Sequence, residues 1–186
     1  MVIHTQKETL VQTLSSVSKN DKIGFVPTMG ALHEGHISLV DRALSENAVV
    51  VVSIFVNPTQ FNNTVDLEKY PRTPEEDISL LNKLKGEVIV YLPEVSDLYD
   101  GTVAAKKYNF GNLENEMEGK HRKGHFDGVG TIVSKLLKIV KPDTAYFGEK
   151  DFQQLQIVKK LVALEKLPVV IVGCPILREA NVLAMS

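Results

Sequence analysis

The nine residues AVVVVSIFV, Ala48 to Val56, hold one polar side chain, Ser53, and no charge. Such a run is far too short to cross a bilayer and has the length of a strand. Val49–Asn57 is apolar at consecutive positions, so both of its faces must be covered. That is the signature of a central strand in a parallel sheet, with helices packed above and below. It obliges the rest of the chain to supply parallel neighbours and crossover helices.

The flanking segments do so. Ile23–Pro27 (IGFVP) reads as a strand, followed by Ile37, Val40, Ala43 and Leu44 at helical spacing. Thr73, Pro74 and Glu76 read as a capping box with proline at the first helical position. Glu87–Leu92 reads as a further strand. Val129, Ile132, Val133, Leu136, Leu137 and Val140 form a helical stripe that stops before Pro142. Thr144–Gly148, a helix over Asp151–Ala163 and a last strand at Val169–Gly173 follow, and a helix over Thr5–Val17 opens the chain. The stretch Pro93–Gly128 reads as a long active-site loop with a short strand near Tyr108–Phe110. Repeated strand–helix–strand order predicts an α/β fold, a doubly wound, mostly parallel sheet with helices on both faces. Ligands in such sheets gather at the carboxyl ends of strands. Thr28–His36, Asn57–Phe61 and Gly148–Gln154 all directly follow strands.

With 186 residues the chain has room for one substantial α/β domain, or one with a small appendage. Lys7 and Glu8 in the first fourteen residues do not suit a secretory signal. The single cysteine, Cys174, excludes an internal disulfide framework and a cysteine-based zinc cluster, so a reducing cytoplasm is expected. A net charge of −2 argues against a general nucleic-acid binder, and an anionic ligand would have to be met by local cations.

The segment PTMGALHEGH (Pro27–His36) concentrates the chemistry. Zinc proteases space their histidines at i and i+4, whereas His33 and His36 stand at i and i+3 with no evident third ligand. They follow a strand and a Gly30 turn and open a helix, where free N–H groups and the helix dipole favour an anion. Gly30 lets the chain turn toward a ligand, and Gly35 removes a side chain where phosphate would crowd. Two imidazoles there can donate to phosphate oxygens or pair with them as cations. The pair reads as a phosphate clamp, with two half-buried structural histidines as the plainer alternative.

HEGH in this setting resembles the HxGH signature of nucleotidyltransferases, and VPTMGALHEGHISLV resembles the pantothenate synthetase (pantoate–β-alanine ligase) family. SIFVNPTQF (Ser53–Phe61), YPRTPEED (Tyr70–Asp77), Gly124–Leu155 and LREANVLAMS (Leu177–Ser186) resemble that family in the same order. The resemblance implies a Rossmann-like HxGH domain over residues 1–176, and at 177–186 the start of a hinge to a C-terminal domain that this chain lacks. It also implies ATP and Mg2+, pantoate and β-alanine as ligands, and a homodimer. Pantoate would attack the α-phosphate of ATP to give pantoyl adenylate and pyrophosphate, and β-alanine would then displace AMP.

On the same resemblance His33, His36 and Lys150 act in catalysis, with His36 as proton donor. Met29, Gly30, Ala31, Leu32, Glu34, Gly35, Gly148, Glu149, Asp151, Leu177, Met185 and Ser186 join them at the nucleotide, and Thr28, Met29, Gln60 and Gln154 hold pantoate or β-alanine. Read alone, Gln60 is equally an exposed loop amide, and Asp151 can cap a helix or hold ribose or magnesium. Arg122 and His125 match positions near the substrates, in a basic loop that also reads as a solvated face. Lys123 stands where the family more often has proline. Glu76 and Asp77 read first as helix caps and only second as magnesium ligands, and no residue is assigned to a metal. Asn181-Val182 replaces the family's Asp-Gly, and the following serine and arginine are missing. The expectation is an N-terminal domain that binds ligands and is impaired in turnover. Alternatives are a non-catalytic nucleotide-binding or dimerisation fragment, or another HxGH adenylyltransferase.

Overall fold

The valine run lies in the middle of the sheet. A computed structural model describes residues 1–175, apart from the side chains of Asn115, Met117 and Glu118. Its strands are β1 (Val2–His4), β2 (Ile23–Thr28), β3 (Val49–Ile54), β4 (Glu87–Tyr91), β5 (Thr144–Gly148) and β6 (Val170–Cys174). They form one sheet in the order β1-β4-β3-β2-β5-β6, with every pairing parallel. All six residues of β3 are buried. Its register, Phe25 beside Val51 beside Ile89, builds one apolar layer, and Val26 beside Val52 beside Val90 builds the opposite one.

The helices are α1 (Lys7–Ser15), α2 (Glu34–Glu46), α3 (Thr64–Lys69), α4 (Pro74–Leu81), α5 (Val95–Leu98), α6 (Met117–His121), α7 (His125–Val140) and α8 (Phe152–Glu165). α1, α7 and α8 cover the first face through Leu10, the Val129–Val140 stripe, Leu155, Ile157 and Leu161. α2 and α4 cover the second through Ile37, Val40, Ala43 and Leu81. Each such valine, leucine or isoleucine side chain stabilises the fold by roughly 1.5–3 kcal/mol on burial. The α7 stripe ends where Lys141 turns left-handed, φ 49°, directly before Pro142.

Four local expectations change. β1 is a strand that three residues at the chain's start gave no pattern to reveal. No strand forms at Tyr108–Phe110: Lys106 N–H donates to Thr131 Oγ1 and Tyr108 N–H to Asp127 Oδ1, so these donors serve α7 instead of a ladder. The Tyr108 and Phe110 rings pack where a side chain on Gly130 would lie 3.0 Å from both. Pro93–Gly128 is not one loop, since it contains α5, a 3-10 turn at Leu113–Asn115, α6 and the first turn of α7. Neither helix cap forms as read: Thr73 and Asp151 make no side-chain cap bond, and Thr73 Oγ1 donates to Asp77 Oδ1 at 3.2 Å. The expected hinge, with Asn181 and Val182, lies outside the described residues.

Candidate active site

Chain connections leave β2 in opposite directions, to β3 on one side and eventually to β5 on the other, which opens a crevice at their carboxyl ends. At the end of β2 the Thr28 hydroxyl donates to the Ser53 carbonyl (2.8 Å) and accepts from Gly30 N–H (3.3 Å). Gly30 (φ 84°) and Ala31 (φ 51°) then take two successive left-handed conformations. The Asp77 carboxylate, 1% exposed, lies under this turn and accepts from Ala31 N–H (3.1 Å) and Leu32 N–H (2.7 Å). A methyl on Gly30 would stand 3.1 Å from Asp77 Oδ2 and from Ile54 Cγ2. Gly30 thus permits close packing on protein, and Asp77 braces this turn, not its own helix terminus.

The turn delivers His33 and His36 to the start of α2 as a reciprocal cap. His33 Nδ1 accepts from Gly35 N–H at 3.1 Å, and His36 Nδ1 accepts from His33 N–H at 3.4 Å. With Nδ1 occupied as an acceptor, each neutral imidazole carries its proton on Nε2. The ring centroids are 4.1 Å apart. Burial lowers the pKa of both, and Lys150 adds to this; Glu34 partly opposes it at His33. For His36 burial comes first, then His33 and Lys150, and its pKa falls to about 4. Near neutral pH the pair is therefore uncharged and presents N–H donors.

A cavity of about 400 Å³ occupies the crevice. Thr28, Met29, His33, Gly35, His36, Gln60, Gly148, Lys150, Asp151 and Gln154 all lie on its wall. Imidazoles from the β2–α2 turn and the ammonium after β5 thus meet around one space. Gly148 has an ordinary φ of −72°, and a methyl there would find no atom of the described residues closer than 4.0 Å. Gly30, Ala31, Leu32, Glu34 and Glu149 are not on this wall. Leu177, Met185 and Ser186 lie outside the described residues.

Gln60 is 7% exposed, which removes the exposed-amide reading. Asn57, fully buried, donates from Nδ2 to Gln60 Oε1 (3.1 Å) and to the Gly128 carbonyl (3.2 Å). His125 Nδ1–H donates to the Gln60 carbonyl at 2.9 Å. Gly128 is what lets this turn lie against α7, because a methyl there would fall 2.3 Å from the Thr59 carbonyl oxygen. Since Asn57 occupies Oε1, Gln60 has its amide N–H groups to offer a ligand. A second cavity, about 330 Å³, joins the first along Met29, Gln60, Tyr70, Lys150, Asp151 and Gln154, and places Arg122 and His125 on its wall. Tyr70 and Tyr146 also line the first cavity, and sequence reasoning does not find them or Asn57. Tyr70 and Asn57 stood inside motifs already singled out, whereas Tyr146 looks like any core aromatic in a strand.

The profile of the pantoate-beta-alanine ligase family matches residues 2–186. The chain belongs to the pantoate-beta-alanine ligase family. It is 59% identical over 183 residues to a pantothenate synthetase of Flavobacterium psychrophilum, covering 97% of this chain and 65% of that protein. A pantothenate synthetase of Christiangramia forsetii is 53% identical over 187 residues, covering 100% of this chain and 66% of the relative. The chain therefore spans just under two thirds of the length of these curated relatives. Among solved structures, the Francisella tularensis pantoate-beta-alanine ligase, complexed with beta-gamma ATP and beta-alanine, superposes with a TM-score of 0.94 at 45% identity, over 100% of this chain and 71% of that one. The pantothenate synthetase of Thermus thermophilus gives 0.91 at 41% identity, over 100% and 66%.

Proposed function

We propose that this family member carries the adenylate-forming site of a pantothenate synthetase, joining (R)-pantoate to β-alanine at the expense of ATP. The observation that supports it most is the convergence of two neutral imidazoles, the Lys150 ammonium and the buried Gln60 amide on one cavity at the sheet's switch point. In the first step a pantoate carboxylate oxygen bonds to the α-phosphorus, and the bond to the β-phosphate bridging oxygen breaks, releasing pyrophosphate. In the second, the β-alanine amine adds to the acyl carbon, AMP leaves with the C–O pair, and the amine gives up a proton. No protein nucleophile is needed, so the residues act by placing charge and donors.

His33 and His36 donate from Nε2 to polyphosphate oxygens. The anion raises their pKa in turn, so that His36 can become the cation that steadies departing pyrophosphate. Lys150 supplies the permanent charge, and Gln60 aims its amide N–H groups at the pantoate carboxylate, with Gln154 beside it. The described residues provide no group of three or more histidine, cysteine or carboxylate ligands suited to a metal. Asp77, the buried carboxylate nearest the turn, has both oxygens occupied. Magnesium would enter with ATP, as the MgATP complex. The same reading carries a homodimer and a cytoplasmic location with it; no described helix is long and apolar enough to cross a membrane.

Calorimetry with MgATP and pantoate, paired with a pyrophosphate-release assay, tests the reading. Wild type should bind both ligands and release pyrophosphate only when pantoate is present, and His36→Ala should lose the release. Binding without release would favour a non-catalytic nucleotide-binding module, and an unchanged His36→Ala variant would return the histidines to a structural role.

A further inference from the structure

Asp77 is a buried carboxylate for which the proposed chemistry has no use. It belongs to α4, far in sequence from the histidines, yet its contacts are with their turn. Oδ2 takes Ala31 N–H; Oδ1 takes Leu32 N–H and the Thr73 hydroxyl. Ala31 holds φ 51° without being glycine, a conformation that L-residues keep only when their surroundings impose it. Two converging N–H groups at such a turn form an anion recess. Here a carboxylate of the protein itself fills it.

Resting on the reading above, we infer that Asp77 is a positioning residue: it acts as an internal anion that locks the Gly30–Ala31 turn, aims His33 and His36 into the cavity, and keeps the turn's own N–H groups from the polyphosphate. The ligand's phosphates are thereby left to the imidazoles and Lys150. An asparagine at this position keeps the shape but offers one acceptor oxygen, and its amide hydrogens oppose a backbone N–H.

Two readouts on Asp77→Asn decide the matter. Imidazole 15N NMR of the free protein should show His33 and His36 as Nε2–H tautomers in wild type and as mixed tautomers in the variant, while His4 and His125 stay unchanged. MgATP affinity should fall by about tenfold or more, as expected when a charged hydrogen-bond acceptor is lost, while pantoate affinity stays within about twofold. Adding Ala31→Gly, which removes the steric bar to the left-handed turn, should restore part of the MgATP affinity. A folded Asp77→Asn protein with wild-type tautomers and MgATP affinity would overturn the inference. So would parallel loss of both ligands without rescue, which would mark a general structural role. If Asp77→Asn fails to fold, Thr73→Ala removes only the hydroxyl contact and should shift both readouts less, in the same direction; no shift would overturn the inference. Should wild type bind no MgATP, the functional reading fails, and the imidazole spectra still decide whether Asp77 sets the histidines.

Discussion

Two segments bring donors to the cavity, and they are held in opposite ways. The turn from Thr28 to His36 is braced from beneath and closed on itself: Asp77 takes two of its N–H groups, and the histidines cap one another's backbone. The segment from Lys106 to Arg122 is tied from outside by side chains of two helices. Asp127 of α7 takes Lys107 (2.8 Å) and Tyr108 N–H, and Gln153 of α8 donates to the Leu113 and Glu116 carbonyls at 2.6 and 2.7 Å. Glu165 of α8 accepts from Lys106, Tyr108, Ser134 and Lys138. Burial raises the Glu165 pKa, but hydrogen bonds from Lys138, Ser134, Lys106 and Tyr108 outweigh it and hold the value near 2. Neutral donors must be aimed within a fraction of an ångström, and their segment is held by a hydrogen bond at Thr28, Gly30, Ala31, Leu32, His33 and Gly35. A charge acts over several ångströms, so a tethered segment is enough for it.

The contrast can be broken at either segment or at the cation between them. Replacing Lys150 with alanine should reduce pantoate-dependent pyrophosphate release by about 10²–10³-fold, the usual result of removing a donor aimed at developing charge. A loss below tenfold in a stopped assay would deny the ammonium its part. Next in size, Glu165→Ala removes the acceptor shared by four partners and should lower stability by about 1–3 kcal/mol in urea titration. MgATP affinity should hold, because the histidine turn does not depend on that tether. Arg122→Ala should slow release by roughly tenfold or less, and the deficit should shrink as salt screens the wild-type charge. An effect as large as that of Lys150, insensitive to salt, would place Arg122 among the rigid donors.

The smallest expected signal concerns protons. His36 in the folded protein titrates near 4, against 6.5 for an ordinary histidine. As pH falls the unfolded chain takes up its proton first, so stability declines between about 6.5 and about 4 and levels off below. Phosphate beside the ring reverses the shift. MgATP binding at a pH of roughly 5.5, between the two values, should therefore be accompanied by proton uptake, read as calorimetric heats that vary with the buffer's ionisation enthalpy. His36→Gln should abolish most of that variation.

The interior strands were legible because β2, β3, β4 and β5 are apolar at nearly every position, and the α7 stripe because its period leaves no other reading. β1 was not legible: three residues at an exposed edge have no pattern to show. The Thr73–Glu76 signal was a true helix start with a false cap, since Asp77 drew the Thr73 hydroxyl toward the turn. Tyr108 and Phe110 had strand-like composition, but their backbone was claimed by Asp127 and their rings by the space over Gly130, neither of which is local in sequence. At the site, the histidines and Lys150 could be read from motifs. The burial of Gln60 could not, because it depends on Asn57 reaching Gly128, seventy-one positions away.

Gly148 offers a different kind of instrument. Its backbone asks for no special conformation, and an added methyl would meet no described residue closer than 4.0 Å, so alanine there should leave folding alone. A guest molecule seated against that wall would object. A Gly148→Ala protein would thus act as a gauge, with selective exclusion of one ligand tracing the outline of whatever presses against that wall.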